Sequence, residues 1–508
     1  MLRETTIENG KVKGFPGTDA RITVYKGIPY AAPPVGENRW RAPQPAENWE
    51  GVRECYEFAP INMQKTPGED PEAFYSKEWH VDSKVPMSED SLYLNIWTPA
   101  KSKDEKLPVM VWIFGGGFQE GYSYEQEFDG ERIASRGVIL VSIAYRLNVF
   151  GFLAHPELTA QDPENPTNFG LLDQLAAIKW VGRNIAAFGG DPKNITIFGQ
   201  SAGGDGVYAH LCSPKAKGAF QRAIVESNGG FTYRFPNTFL TRVRLTLPEA
   251  EQKGINFLKD YLGVETIEEA RKLDAKFIEE KQLEARLGAV PVVDKKYLMD
   301  DMPKTVMKNE MNDIPFIIGN TLDEFMFGPS EDGEEAVLAW SKENFGDRGE
   351  EYFDIIKRQA EKTGETLKKA ATVCSFELGA QLALEYMAEY GIDPYYYRFG
   401  PTIPGDDAGA FHSCDLWFEF ETLMKCWRPF DGHHYDVSRK MCNYWTNFAK
   451  TGDPNGLDAD GTPMPKWEKF TKDNKTAMCF FDEVFPSDEI TEKRAFLLDI
   501  NLKDVKKS

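Results

Sequence analysis

Ser201 stands in the run Gly199-Gln200-Ser201-Ala202-Gly203, with a glycine two places to either side. The β-prone stretch Ile195–Phe198 leads into this run, and Ala202–Cys212 can form a helix before Pro214 stops it. A serine between strand and helix, on a turn too tight for Cβ atoms at Gly199 and Gly203, is held out as a nucleophile. A hydroxyl is a poor nucleophile by itself. It needs a base, normally a histidine, and that histidine needs a carboxylate to orient it.

The chain has six histidines: His80, His155, His210, His412, His433 and His434. With the order serine, acid, histidine along the chain, the last four remain. His210 lies on the helix directly after the serine and should face packing. His433-His434 is a polar pair before the last long helix and reads as solvated. His412 follows the strand-like run Tyr395–Phe399 across a Gly-Asp-Asp-Ala-Gly loop, the strand-end position that a base requires. The acid is expected after an intervening strand, and Phe316–Ile318 runs directly into Gly319-Asn320-Thr321-Leu322-Asp323-Glu324-Phe325. Asp323 and Glu324 are both available, and the residue types alone do not choose between them. Val109–Phe114 runs into Gly115-Gly116-Gly117, whose backbone N–H groups can point at a developing oxyanion.

These residues need a frame. Alternating stretches at Arg21–Tyr25 and Leu92–Trp97 predict antiparallel strands. Unbroken apolar runs follow at Val109–Phe114, Val138–Ala144, Ile195–Phe198, Ala223–Val225, Phe316–Ile318 and Tyr395–Phe399. Such runs imply strands buried on both faces, hence a mostly parallel sheet between layers of helices. Gly170–Phe188 and Ser438–Lys450 are the clearest helical patterns. Residues 60–90 read as a surface loop, and 248–290 and 331–390 as charged, helix-prone caps over one end of the sheet, where ligands bind in open parallel sheets.

The net charge of −21 argues against nucleic acid or an anionic membrane as partner. No apolar run approaches the length of a membrane span. Seven cysteines without a C-x-x-C pair, and a first segment without the apolar core of a secretory signal, predict free thiols in the cytoplasm.

With these features in place, the sequence resembles a type-B carboxylesterase of the cholinesterase/carboxylesterase family, over about residues 5–470. The resemblance rests on Y-K-G-I-P-Y-A-A-P-P-V-G at 25–36, S-E-D-S-L-Y-L-N-I-W at 88–97, P-V-M-V-W-I-F-G-G-G-F at 108–118 and Y-R-L-N-V-F-G-F-L at 145–153. It continues in N-F-G-L-L-D-Q at 168–174, G-G-D-P-K-N-I-T-I-F-G-Q-S-A-G-G at 189–204 and F-H-S-C-D-L at 411–416. It implies an α/β-hydrolase fold: one catalytic domain over 1–508, with cap insertions around 60–90, 231–310 and 325–390. It assigns Ser201 as nucleophile, Glu324 as acid and His412 as base, with oxyanion donors at the N–H groups of Gly116, Gly117 and Ala202. It sets Ser227 beside the acid as a hydrogen-bonding support, next to Gln200 before the nucleophile. It also implies scaffold ion pairs between Arg39 and Glu89 and between Arg146 and Asp173.

Three departures are visible. The family's early disulfide is missing, since its positions carry Asn62 and Ser91. Phe114 stands where many relatives have histidine or tyrosine. Gln200 stands where many have glutamate, which weakens a choline-ester reading. The expected activity is hydrolysis of small uncharged alkyl, aryl or hydroxycinnamoyl esters through an acyl-enzyme, with neither metal nor organic cofactor. Phe118, Phe231, Phe325, Phe327 and Phe411 are candidate pocket walls. An inactive binding module or an acyltransferase on the same triad are the rival expectations.

Overall fold

The computed structural model describes residues 1–79, 82–228 and 244–505. The chain clusters into two compact units: residues 1–226, 244–316 and 416–464 form the first, and 227–243, 317–415 and 465–508 the second.

In the first unit the sheet strands are β1 (Phe15–Pro16), β2 (Thr23–Pro29), β3 (Tyr93–Thr98), β4 (Leu107–Ile113), β5 (Ile139–Ile143), β6 (Gly190–Gln200) and β7 (Arg222–Glu226). Their spatial order is β1-β2-β3-β5-β4-β6-β7. β5, β4, β6 and β7 run parallel, while β1, β2 and β3 pair antiparallel. The expected alternation at the start and unbroken apolar runs later therefore match the pairing mode. Val109–Ile113 and Ile139–Val141 are wholly buried, as strands covered on both faces must be.

Helix α1 (Phe169–Asn184) continues into a 3-10 turn at Ile185–Phe188, and α2 (Ala202–Cys212) follows β6. α3 (Leu416–Glu419) and α4 (Gly432–Thr451) complete the helices used below. α4 starts six residues before the apolar pattern does, because Asp431 and His434 form its capping box. His434 is accordingly buried, which corrects the reading of a solvated pair. Asp431, His433 and His434 form the one group among the described residues whose three possible metal-donor atoms lie within 4.8 Å. Its geometry is that of a helix cap.

The second unit carries β8 (Phe316–Thr321), β9 (Tyr395–Phe399), β10 (Ala477–Phe480) and β11 (Val484–Ser487), in the order β11-β10-β9-β8. β8, β9 and β10 are parallel, and β11 returns antiparallel. Helices at Glu334–Phe345, Gly349–Thr363 and Ser375–Glu389 fill the helix-prone region expected there.

Both implied scaffold pairs are present in the first unit. Arg39 Nη2 meets Glu89 Oε2 at 2.6 Å, and Arg146 Nε meets Asp173 Oδ2 at 2.7 Å, with its Nη2 on Oδ1 at 2.7 Å. Residues 60–90 are more than a surface loop. They carry a short helix, Phe74–Trp79, and Glu78 is buried. Glu78 accepts from Arg428 Nε (2.9 Å), Trp427 Nε1 (3.0 Å) and Trp417 Nε1 (3.2 Å). At the position of the missing disulfide, Ser91 Oγ donates to Asn62 Oδ1 at 2.7 Å, and all seven cysteines are free. No described helix is long and apolar enough to cross a membrane.

Asp173 is fully buried, and desolvation pushes its carboxyl above the ordinary value despite Arg146. Replacing Arg146 strands that charge, so Arg146→Met should lower the unfolding free energy by about 3–5 kcal/mol. Adding Asp173→Leu should recover much of the loss. Urea midpoints of the two variants check this.

Candidate active site

β6 ends at Gln200, and the chain turns at once into α2. Ser201 occupies the turn with φ 56° and ψ −122°, a conformation that L residues rarely adopt and that surrounding structure must impose. The imposing contacts are short. The Ser201 N–H donates to the Glu226 carbonyl on β7 at 2.9 Å, and the Ser201 carbonyl accepts from the Asp205 N–H at 2.8 Å. A Cβ on Gly199 would lie 2.6 Å from the Ile113 carbonyl oxygen, and one on Gly203 only 1.9 Å from it. The glycines flanking the serine are thus demanded by the approach of β4, as the spacing predicts.

β4 delivers the glycine run. Gly115 packs so closely on the turn that a Cβ there would be 2.8 Å from the Gln200 carbonyl and 3.1 Å from Ser201 Cβ. Gly116 and Gly117 have φ 104° and 64°. The Gly116 carbonyl accepts from the N–H groups of Gln119 (2.9 Å) and Glu120 (3.1 Å). Among the described residues no carbonyl takes the N–H of Gly116 or Gly117. Ala202 opens α2, with its N–H at the helix start. Phe114, where relatives carry a polar ring, stacks on Tyr145 with centroids 4.5 Å apart. The Tyr145 hydroxyl donates to the Phe114 carbonyl at 2.7 Å and so steadies the strand end from behind. Gln200 is buried and pairs in register with Glu226.

In the second unit, Glu324 Oε2 and His412 Nδ1 lie 2.5 Å apart, with Glu324 1% and His412 8% exposed. Glu324 Oε1 accepts from the Thr321 N–H at 3.1 Å. Asp323 is engaged differently. Its Oδ2 accepts from the Ala410 N–H at 2.8 Å, and its own N–H donates to the Ala410 carbonyl at 3.0 Å. Asp323 therefore staples the loop after β8 to the loop after β9, while Glu324 holds the imidazole. Phe376 stacks on the His412 ring at 5.4 Å and 12°, and Phe325 meets it edge-on at 4.6 Å. Phe376 was not foreseen, since nothing in a helix of small and apolar residues marks one phenylalanine for an imidazole.

Ser227 differs from expectation. Its N–H donates to the Gly319 carbonyl at 2.8 Å, with φ 49° at the turn. Its hydroxyl is buried with no hydrogen-bond partner among the described residues, so the bond to Glu324 is not made and the Thr321 N–H serves the acid instead. The candidate pocket walls also divide. Phe118, whose φ is 61°, is buried against Phe152 (5.1 Å) and Tyr145 (6.5 Å). Phe327 packs on Trp340 at 5.8 Å, and Phe411 is buried. Phe325 is 47% exposed and is the candidate that presents both an open face and the imidazole. Phe231 lies outside the described residues.

Comparison with known proteins gives these parts a class. A solved para-nitrobenzyl esterase superposes with a TM-score of 0.76 at 29% identity, covering 98% of this chain and 99% of that one. The fold is the α/β-hydrolase fold. The model of the carboxylesterase family matches residues 3–494. Para-nitrobenzyl esterase of Bacillus subtilis (strain 168) is 34% identical over 96% of this chain and 97% of its own length. Fumonisin B1 esterase of Sphingopyxis macrogoltabida is 31% identical over 93% of this chain and 85% of its own. The chain belongs to the carboxylesterase family and is a carboxylic ester hydrolase.

The glycine geometry makes a paired prediction. Gly203→Ala forces a methyl group into the Ile113 carbonyl and should cost about 3 kcal/mol. Gly182→Ala, in α1 with nothing within 4 Å of the added Cβ, should be neutral or stabilise by up to about 1 kcal/mol. Denaturant unfolding of both variants checks the contrast.

Proposed function

We propose that Ser201, His412 and Glu324 form a catalytic triad that hydrolyses small uncharged esters through an acyl-enzyme. Ser201 Oγ attacks the ester carbonyl carbon while His412 Nε2 takes its proton. Glu324 holds the imidazole by Nδ1 and stabilises the positive charge that forms on it. The N–H groups of Gly116, Gly117 and Ala202 receive the oxyanion of the tetrahedral intermediate. Its collapse expels the alcohol, which leaves with the proton from His412. Water then attacks the acyl-enzyme with His412 again as base, and the acid is released as Ser201 regains its hydrogen. The observation that carries this reading is the 2.5 Å bond between Glu324 and His412, with Asp323 committed elsewhere.

The substrate preference rests on the surroundings. Two phenylalanines flank the imidazole, and the residue before the nucleophile is the neutral Gln200. Neither offers a counter-charge to a cationic or anionic ester. Alkyl and aryl acyl groups suit such a wall, and hydroxycinnamoyl esters fall in the same class. We read the whole chain as one catalytic domain. The net charge of −21 gives no support to nucleic acid as a partner, and seven unpaired cysteines support a cytoplasmic location.

An organophosphonate probe followed by peptide mapping tests the assignment, with Ser201 as the expected adduct site. Labelling elsewhere, or none in a folded sample, overturns it. Ser201→Ala should lower kcat on p-nitrophenyl esters by at least about 10³-fold. Glu324→Gln leaves the imidazole in the wrong tautomer and should cost up to about 10⁴-fold, with KM little changed.

A further inference from the structure

Directly behind the nucleophile turn lies an arrangement that the triad does not use. Glu226 is the last residue of β7, and its carbonyl is the acceptor that holds the Ser201 N–H at 2.9 Å. It pairs in register with Gln200, and a Cβ on Gly204 of α2 would sit 2.5 Å from its carbonyl oxygen. The Glu226 backbone is thus pinned from both sides of the turn. Its side chain is wholly buried and hydrogen-bonds to Glu419, the last residue of α3, which is 1% exposed. Trp445 Nε1 on α4 donates to Glu226 Oε1 at 2.8 Å. Glu226 Oε2 is buried, and no N–H or hydroxyl of another residue type donates to it among the described residues.

Two carboxyl groups that hydrogen-bond to each other need a proton between them, because two carboxylates have only acceptors. Two like charges in contact in a buried site cannot both persist. We propose that Glu226 and Glu419 are positioning residues for the nucleophile turn, holding one shared proton whose loss repels the end of β7 and slackens the anchor of Ser201.

Most of the charged and titratable groups on the surrounding elements have partners of their own. On α2, Asp205 binds Arg244 (2.6 Å) and His210 binds Tyr297 (2.6 Å). On α4, His433 and His434 meet Asp431, and Arg439 meets Asp436 and Asp458. Lys440 and Lys450 also lie on α4. Arg222, at the far end of β7, binds Asn194, while Asp191 and Lys193 lie at the far end of β6. Beside α3, Asp415 accepts from the Tyr397 hydroxyl at 3.2 Å, and Glu421 pairs with Arg136 at 2.6 Å. The turn Gln126–Phe128, packed on α3, carries the buried Glu127, which pairs with the half-buried Glu125 as a second carboxyl pair. Glu78 is neutralised by Arg428. Among the described residues no cation contributes to the surroundings of Glu226, and burial is what raises its carboxyl above the ordinary value.

The direction follows. The unfolded chain gives up the proton near the ordinary glutamate value of 4.5, whereas the folded pair keeps it to higher pH. The stabilisation is therefore complete below that value and is lost as pH rises through the raised one. This inference rests on the triad reading, and its test separates the two. Measured from pH 6 to 9.5 on p-nitrophenyl butyrate, the wild-type kcat should decline on the alkaline side, about tenfold per pH unit beyond the ionisation. In Glu226→Gln and Glu419→Gln the amide keeps a donor in the pair without a removable proton, so kcat should stay level there and KM should not move. Glu226→Leu should lower kcat at every pH, with the Gln variant as rescue. The melting temperature, which needs no activity, should fall less from pH 6 to 9 in Glu226→Gln than in the wild type. An unchanged alkaline limb in Glu226→Gln, no limb in the wild type, or transfer of the effect to Glu127→Gln overturns the proposal. If Ser201 takes the phosphonate label while the limb is unchanged, the pair fails and the triad stands. If Ser201 is not labelled, the triad fails and the melting series alone decides the pair.

Discussion

The backbone of Gly203 passes so near the carbonyl of Ile113 that a single methyl group would come within 1.9 Å of the oxygen. That crowding is the constraint on which the nucleophile turn depends. It locks the start of α2 to the end of β4, and with it the serine to the glycine run. Ser201 keeps an unfavourable φ because β4 on one side and β7 on the other leave no relaxed alternative. The strain is held by rigid strands rather than by the loop itself, and a site built this way keeps its geometry when surface loops change.

Elsewhere in the first unit the molecule buries charge in pairs. Arg39 with Glu89, Arg146 with Asp173 and Arg428 with Glu78 each neutralise a carboxylate that burial alone would penalise. Each ties separate segments of the chain, and none includes Ser201, Glu324 or His412. At Glu226, which meets no cation among the described residues, the partner is another carboxyl. The same economy separates neighbours at the acid position: Asp323 binds backbone and Glu324 binds imidazole.

The strands with continuous apolar runs were readable because a parallel strand covered on both faces leaves no place for polar residues. Tyr395–Phe399 has the observed limits, and the strand Phe316–Thr321 begins where expected. β6 starts earlier than its apolar run because Gly190–Asn194, with its turn-forming residues, is also extended. Ala477–Phe480 and Val484–Ser487 were not foreseen, being short and lacking β-branched runs. In the candidate site, the glycines flanking Ser201 were legible from spacing, since the approach of β4 leaves no room for a Cβ at either. The choice between Asp323 and Glu324 was not, because it depends on partners some 90 residues onward. The packing of Phe118 on Phe152 was not legible either, because it depends on a partner elsewhere in the chain.

The hydrogen bond from Ser91 to Asn62 sits where relatives of this chain are implied to carry a sulfur bridge. A polar contact of that kind forms and breaks with the fold itself. It requires no oxidant, no isomerase and no search among mispaired thiols, so maturation of this segment is tied to packing around it rather than to redox chemistry. Strong reductants that would unfasten a bridged homologue leave this clasp intact, and its strength is set instead by how well water is kept out.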